Sequence, residues 1–295
     1  MSDYFQFMIG NFSCISLSDG GSNYPIANMF KDVSSARIEQ ILTEFNLPTT
    51  HVYTPYTLLY IDTGSHKVLI DTGVGRYGEL SIQAFTEVDN SDMSPGILLA
   101  NLRKAGVDPI TIDTLIITHA HADHIGGNLD KKGDLNFPNA QYFISRDEWD
   151  FWFSDEQPEG VPPLFTQIAR ENLSPIQDIV TFIETDTEIV PGITTISTPG
   201  HTPGHISLSI SSNDEELVHV VDAVVHPIHL KYPDILLTTD ILPEQTITNR
   251  RKICEYAASS GGLVFGHHFP PFPNLGHIIK QEQGWRWQPL DDLSQ

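Results

Sequence analysis

Apolar and polar positions follow two regimes along this chain, one of short dense apolar runs and one of helical spacing. "TLLYIDTGSHKVLIDTG" has β-branched and aliphatic residues on both sides of the turn "TGSH" and predicts two strands. "IDTLIIT" is a short, fully apolar run of the buried-strand kind, and it leads straight into His119. "ITTISTPG", "ELVHVV" and "LVFG" are further runs of that type. Between them, "SSARIEQILTEF" places Ile38, Ile41, Leu42 and Phe45 at helical spacing behind serines that can cap. "SPGILLANLRKAG" predicts a second helix, with Pro95 in its first turn and Gly106 at its stop. "PEQTITNRRKICEYAASSGG" predicts a third, opened by Pro243 and closed by Gly261, and "GWRW" reads as a strand near the end. Strands interleaved with helices over the whole length predict one α/β domain with sheets covered by helices. The stretch 150–177 is Pro-rich and aromatic and suits an insertion or lid better than a core element. "EWDFWF" within it has the spacing of a packed helix face, and Trp149, Trp152 and Phe153 are the alternative wall of a pocket.

The chemistry gathers where the apolar runs stop. "LIIT" precedes His119, His121, Asp123 and His124; "ITTISTPG" precedes His201; "ELVHVV" precedes Asp222, read as a strand-end carboxylate; "LVFG" precedes His267 and His268. Loops at strand ends are where layered α/β folds collect ligands and catalytic groups. In "THAHADHIGG", imidazoles two residues apart in an extended turn can converge on one cation, while Asp123 and His124 face a second position. Two metals about 3.5–4 Å apart can clamp and ionise a water. Imidazole and carboxylate donors suit zinc, iron or manganese. Gly126 and Gly127 relieve crowding where a helix begins beneath the site. His201 completes the first set, and His205 serves the hydrogen bonding of its own tight "TPGHTPGH" loop.

Composition narrows the partners. The chain has 295 residues, 40% hydrophobic and 18% charged, as in a globular protein. Its formal charge of −22, with only 16 Lys and Arg, argues against nucleic acid, whose phosphates need clustered cations. No apolar stretch is long enough to span a membrane, and the start has no positive segment before an apolar run, so the cytoplasm is the expected compartment. Cys14 and Cys254 form no motif and read as small buried residues. A second copy of the chain, in a homodimer, is an expected partner.

"THAHADHIGG", "TPGHTPGH", "VVDAV" and "GHHFPPFPNLGH", in that order and with long gaps, resemble the metallo-β-lactamase-fold hydrolases over roughly residues 57–285. The resemblance implies a four-layer αββα sandwich spanning 1–295 as a single domain. It implies that His119, His121 and His201 hold one divalent ion, zinc before iron or manganese. Asp123, His124 and His268 then hold the other, with Asp222 bridging. Asp71 in "VLIDTG" takes the place of the family's buried aspartate that orients a ligand imidazole. The family sets its last histidine directly before a run like "FPPFP", which favours His268 as ligand and makes His267 a neighbour in the pocket wall.

The reaction implied is hydrolysis, in which a hydroxide between two ions attacks a carbonyl or phosphoryl centre. Asp123 is a ligand and can accept a proton only after that attack. "LLANLRKAGVDPITIDTLIITHAHADHIGG" and "NAQYFISRDEWDFW" are most similar to the branch with N-acyl-homoserine lactonases and methyl parathion hydrolase-like enzymes, so a lactone, ester or organophosphoester is the preferred substrate. Tyr53 and Tyr56 are candidate donors to it. The alternative is a thioester hydrolase of the hydroxyacylglutathione hydrolase type, which lacks a basic cluster here for glutathione's carboxylates. The flavodiiron oxygen reductases need a carboxylate where Ala122 stands. A non-catalytic metal-binding or interaction domain is the reading from another class. Structural zinc sites close with four ligands, often thiolates, and neither cysteine lies near this cluster.

Overall fold

The apolar runs are continuous because the strands they form are buried on both faces. In "LLYI", Leu58 and Tyr60 point into one core while Leu59 and Ile61 point into another. In "LII", Leu115 and Ile117 take the first core and Ile116 the second. A strand packed on both sides has no polar face to present, so alternation disappears from its sequence.

The computed structural model describes residues 3–26, 29–77, 96–156, 161–184 and 186–290. Its first half contains β1 (Tyr4–Ile9), β2 (Phe12–Pro25), β3 (Phe30–Lys31), α1 (Ser35–Glu44), β4 (His51–Asp62), β5 (Lys67–Ile70), α2 (Leu98–Lys104) and β6 (Thr114–Ile117). The single-turn α3 (Ala122–Ile125), β7 (Gln141–Ser145), α4 (Arg146–Phe153), α5 (Pro163–Leu173) and β8 (Val180–Ile183) follow. The second half contains β9 (Glu188–Val190), β10 (Ile193–Ser197), β11 (Ile206–Ser212), β12 (Glu215–His219), α6 (Ile228–Lys231), β13 (Leu236–Leu237), α7 (Pro243–Ser260), β14 (Leu263–Phe265), β15 (Leu275–Lys280) and β16 (Trp285–Pro289).

One seven-stranded sheet has the order β1-β2-β4-β5-β6-β7-β8, and a second has the order β16-β15-β14-β12-β11-β10-β9. The core between them joins Ile61, Ile70 and Ile116 of the first sheet to Leu208, Leu217 and Phe265 of the second. Outside the first sheet, Leu102 of α2, Trp152 of α4 and Ala169 and Leu173 of α5 pack on Leu58, Leu115 and Ile117. Outside the second, Ile253, Cys254 and Ala257 of α7 pack on Val218, Val264 and Ile278. These layers are the expected αββα sandwich.

Several elements follow their sequence signals closely. Ser34 caps α1 by accepting from Arg37 N–H. Pro243 opens α7, and Gly261 ends it at φ 68°, a conformation that favours glycine. Gly106, at φ 85°, follows α2, whereas Pro95 lies outside the described residues. The 150–177 stretch contains the end of α4 and all of α5, both packed into the core. Trp149 stacks on Phe153 at 4.6 Å between ring centroids. Cys14 and Cys254 are buried, and burial raises both thiols to about 12. No described helix is long and apolar enough to cross a membrane.

The parallel pairings β5–β6, β6–β7 and β12–β14 align strand ends. The chain leaves β5 at Asp71, β6 at Thr118, β10 at Thr198, β12 before Asp222 and β14 before His267, and these exits share one edge of the sandwich. Two expectations need correction there. Asp222 is not at a strand end: β12 stops at His219, and Asp222 sits in a 3-10 turn over Val221–Val224. Val221, β-branched, has φ 48°, a strained conformation that turns the next carboxylate inward. Gly126 and Gly127 do not open a helix but follow the one turn of α3. A Cβ on them would lie 2.2 Å from the Val74 carbonyl oxygen and 2.0 Å from that of Thr72, so they admit the loop after β5.

Candidate metal centre

The extended backbone of His121 precedes α3, so His119 and His121 leave the loop before the helical turn while Asp123 and His124 leave from within it. This split separates two groups of donors. His119 Nε2 and His121 Nδ1 are 3.1 Å apart, and His121 Nδ1 and His201 Nε2 are 2.9 Å apart. On the other side, His268 Nε2 lies 3.4 Å from Asp123 Oδ2, and His124 Nε2 lies 3.9 Å from the same oxygen. Asp222 spans the two. Its Oδ2 is 3.2 Å from His201 Nε2 and 3.8 Å from His119 Nε2, and its Oδ1 is 3.3 Å from His268 Nε2 and 3.5 Å from His124 Nε2.

The donor set fits two divalent cations. His119, His121 and His201 form one group able to hold an ion, and Asp123 and His124 with His267 and His268 form another. Three imidazole nitrogens facing one point cannot all satisfy each other, because a neutral ring offers one donor and one acceptor. His124 Nε2 and Asp222 Oδ1 are buried without a hydrogen-bond partner, the state of atoms reserved for a ligand.

The surrounding charges favour neutral imidazoles at His119 and His121 and an ionised carboxylate at Asp222. Burial, with His124 beside His119 and His201 beside His121, pushes both imidazoles well below their ordinary range. Burial opposes ionisation of Asp222, but His268, His124 and His201 hold its carboxyl well below the usual range. For His201 burial is outweighed by Asp222 and Asp240, which raise it to about 9.

The outward ring nitrogens of His124 and His268 have orienting partners. Asp71 Oδ2 lies 2.7 Å from His124 Nδ1, and the same carboxylate accepts from the Thr118 backbone N–H and hydroxyl. His268 Nδ1 donates to the Pro55 carbonyl at 2.8 Å, which aims Nε2 at Asp123 and Asp222. His205 accepts from Asp222 N–H at 3.1 Å through Nε2 and meets the Thr198 hydroxyl through Nδ1. His267 stacks on His124 at 4.1 Å between centroids.

Sequence reasoning missed four residues. Asp240 Oδ1 lies 2.9 Å from His201 Nδ1, and its other oxygen accepts from Leu237 N–H and Arg250. Arg250, fully buried, also donates to the carbonyls of Ala223, Pro233 and Ile235. Glu148 is buried between the two histidine loops. Tyr24 lines the pocket over the donors with Met29, Phe165, Val225 and Leu237, and its hydroxyl is 2.8 Å from that of Tyr56. Of the two expected tyrosines, Tyr53 is half exposed, and Tyr56 is buried behind Tyr24.

Comparison with known proteins places these residues in a family. The model of the metallo-beta-lactamase superfamily matches residues 53–268. An N-acyl homoserine lactonase of Bacillus cereus is 26% identical over 249 residues, covering 80% of this chain and 86% of that protein. The N-acyl homoserine lactonase AttM of Rhizobium radiobacter is 27% identical over 176 residues, covering 57% and 62%. Among solved structures, AidC, a dizinc quorum-quenching lactonase in complex with a product, superposes with a TM-score of 0.84 at 26% identity over 99% of both chains. The hydrolase AbOPH of the beta lactamase superfamily gives the same values. The matched span runs through Asp71, both donor groups and Asp222, and the chain belongs to the metallo-beta-lactamase superfamily as a metal-dependent hydrolase.

Proposed function

We propose that the chain is a dizinc lactonase that opens the ring of acylated lactones. The observation that carries the two-ion reading is Asp222, which presents one oxygen to each donor group. His119, His121 and His201 would hold one zinc, and Asp123, His124 and His268 would hold the other. Such ions would supply a Lewis-acid pull on the ester carbonyl and an ionised water at neutral pH. The lactonase relatives and the AidC product complex support the lactone as substrate.

The chain's own residues bind, orient and move the proton. Met29, Phe165, Val225 and Leu237 form an apolar wall for the acyl portion, and α5 covers the pocket through Phe165, whose ring lies 5.4 Å from His121. The Tyr24 phenol stays protonated, because burial, Tyr56 and the nearby Asp123 and Asp222 all raise its pKa, and it donates to a substrate oxygen. Water oxygen bonds the carbonyl carbon and the acyl–oxygen bond breaks. One water proton passes to the leaving alkoxide by way of Asp123, and the other is lost as the new acid ionises. Among the described residues no Lys or Arg lines the pocket, which disfavours a thioester of glutathione.

The test is turnover of the zinc-loaded protein on N-hexanoyl homoserine lactone, aryl esters, phosphotriesters and a glutathione thioester, followed by mass spectrometry. The lactone should be opened fastest, with activity lost on chelation and restored by zinc. Two bound ions with no lactone turnover would overturn the assignment.

A further inference from the structure

Glu148 is the one fully buried glutamate among the described residues, and no basic side chain touches it in the contacts that it makes. It lies in the first turn of α4, and both of its oxygens are saturated. Oε1 accepts from the Ala120 backbone N–H at 2.8 Å and from the Trp152 indole N–H at 2.6 Å. Oε2 accepts from the Thr202 hydroxyl at 2.6 Å and from the Gly204 backbone N–H at 3.0 Å. Ala120 lies between His119 and His121, and Thr202 follows His201. One carboxylate therefore ties together the two loops that carry the first donor group, and Trp152, held by the same oxygen, sets its ring edge-on to His121 at 5.8 Å.

The loop approaches α4 so closely that only glycine fits. A Cβ on Gly204 would lie 2.0 Å from the Glu148 nitrogen. Part of the glycine content of "TPGHTPGH" thus serves this contact. Burying a carboxylate is unfavourable, and burial raises the pKa of Glu148 against the four donors that lower it. A group kept there at that cost serves what it touches.

We propose that Glu148 is a positioning residue for the first ion alone, which rests on the two-ion reading above. Three of its four hydrogen bonds go to the loops of His119, His121 and His201, and the fourth goes to Trp152, whose ring lies against His121. The second group is held separately by Asp71 on His124 and the Pro55 carbonyl on His268. Glutamine cannot replace it. Whichever way the amide turns, its NH2 meets at least one backbone N–H, Ala120 on one side or Gly204 on the other, and one loop must be released.

The experiment is a zinc titration of metal-free protein against a competing chelator, resolving two affinities, with cobalt absorption spectra of the substituted sites. For Glu148→Gln, one ion should weaken by about 10–100-fold, the range for loss of an outer partner, while the other keeps its affinity. Thr202→Val, which removes one donor and leaves the carboxylate in place, should give the same selective loss at smaller size. Leu102→Ala, on α2 in the same core layer, should melt earlier and keep both affinities. Unchanged affinities in Glu148→Gln and Thr202→Val, parallel loss of both ions, or selective loss in Leu102→Ala would each overturn the role. A wild-type chain that takes up one ion overturns the two-ion reading and this role with it; two ions in wild type with unchanged affinities in Glu148→Gln and Thr202→Val overturn only this role.

Discussion

The two halves of the proposed metal centre are built from similar donors but are held in different ways. His124 and His268 in the second half are oriented from the first sheet's side, by Asp71 at the exit of β5 and by the Pro55 carbonyl in β4. His201 in the first half is oriented by Asp240, itself fixed by the buried Arg250 of α7, and its loop is tied to that of His119 and His121 through Glu148 of α4. One half leans on strands next to the ligands in the sheet; the other leans on helices from opposite outer layers. The first half therefore depends on the whole sandwich being assembled, and the second depends mostly on one sheet.

The strongest way to break this comparison is to remove what the halves share. Asp222→Ala should abolish lactone opening, a drop on the order of 10³-fold or more if several kcal/mol of metal-centred stabilisation are lost, and should loosen both ions. His121→Ala should lose the activity as fully but retain an ion in the second group. His268→Ala should do the converse, and His267→Ala should keep both ions. Steady-state kinetics beside metal content per chain check all four.

A smaller change sharpens the contrast. Asp240→Asn leaves the first half's ligands in place but weakens the acceptor for His201, and the first ion should weaken by about 10–100-fold with the second unchanged. Equal weakening of both would erase the distinction between the halves. Tyr24→Phe touches the pocket but neither half. It should lower kcat by about tenfold, as for one lost hydrogen bond, with metal content intact.

The smallest effect lies outside the centre. Asp19 is fully buried, and burial raises it to about 7 although it accepts from the backbone N–H groups of Val74 and Leu98. A carboxyl with a raised pKa in the folded state contributes stability when protonated. That contribution is complete below the ordinary carboxylate range near 4 and is lost as pH rises through 7. Asp19→Asn should flatten the decline in unfolding free energy between pH 4 and 7, by at most about 1.4 kcal/mol per pH unit, as read by urea titrations of both proteins. An identical slope in the variant would exclude Asp19 as its source.

The same contrast explains what the sequence made legible. The donor residues sit in compact motifs at the ends of apolar runs, and Asp71 lies in "VLIDTG" directly after such a run, so chemistry and placement could be read together. Asp240, Arg250 and Glu148 lie in a loop and two helices where a charged residue ordinarily faces solvent. Their burial is decided by contacts 15 to 56 residues away in the chain, such as Arg250 to Ile235 and Glu148 to Gly204. One local trace existed: Glu148 and Trp152 are four apart and share the face of α4 that the aromatic pattern marks as packed. The turn at Asp222 escaped for a different reason, since nothing in "HVVDAV" announces a valine at positive φ. Tyr24 left no trace, because its place over the donors depends on where the long strand β2 ends.

The most direct test of the account is anomalous diffraction from crystals of the zinc-loaded protein. The account predicts two zinc peaks about 3.5–4 Å apart, one among His119, His121 and His201 and one among Asp123, His124 and His268, with Asp222 between them. A single peak, or two peaks that do not share Asp222, would contradict it.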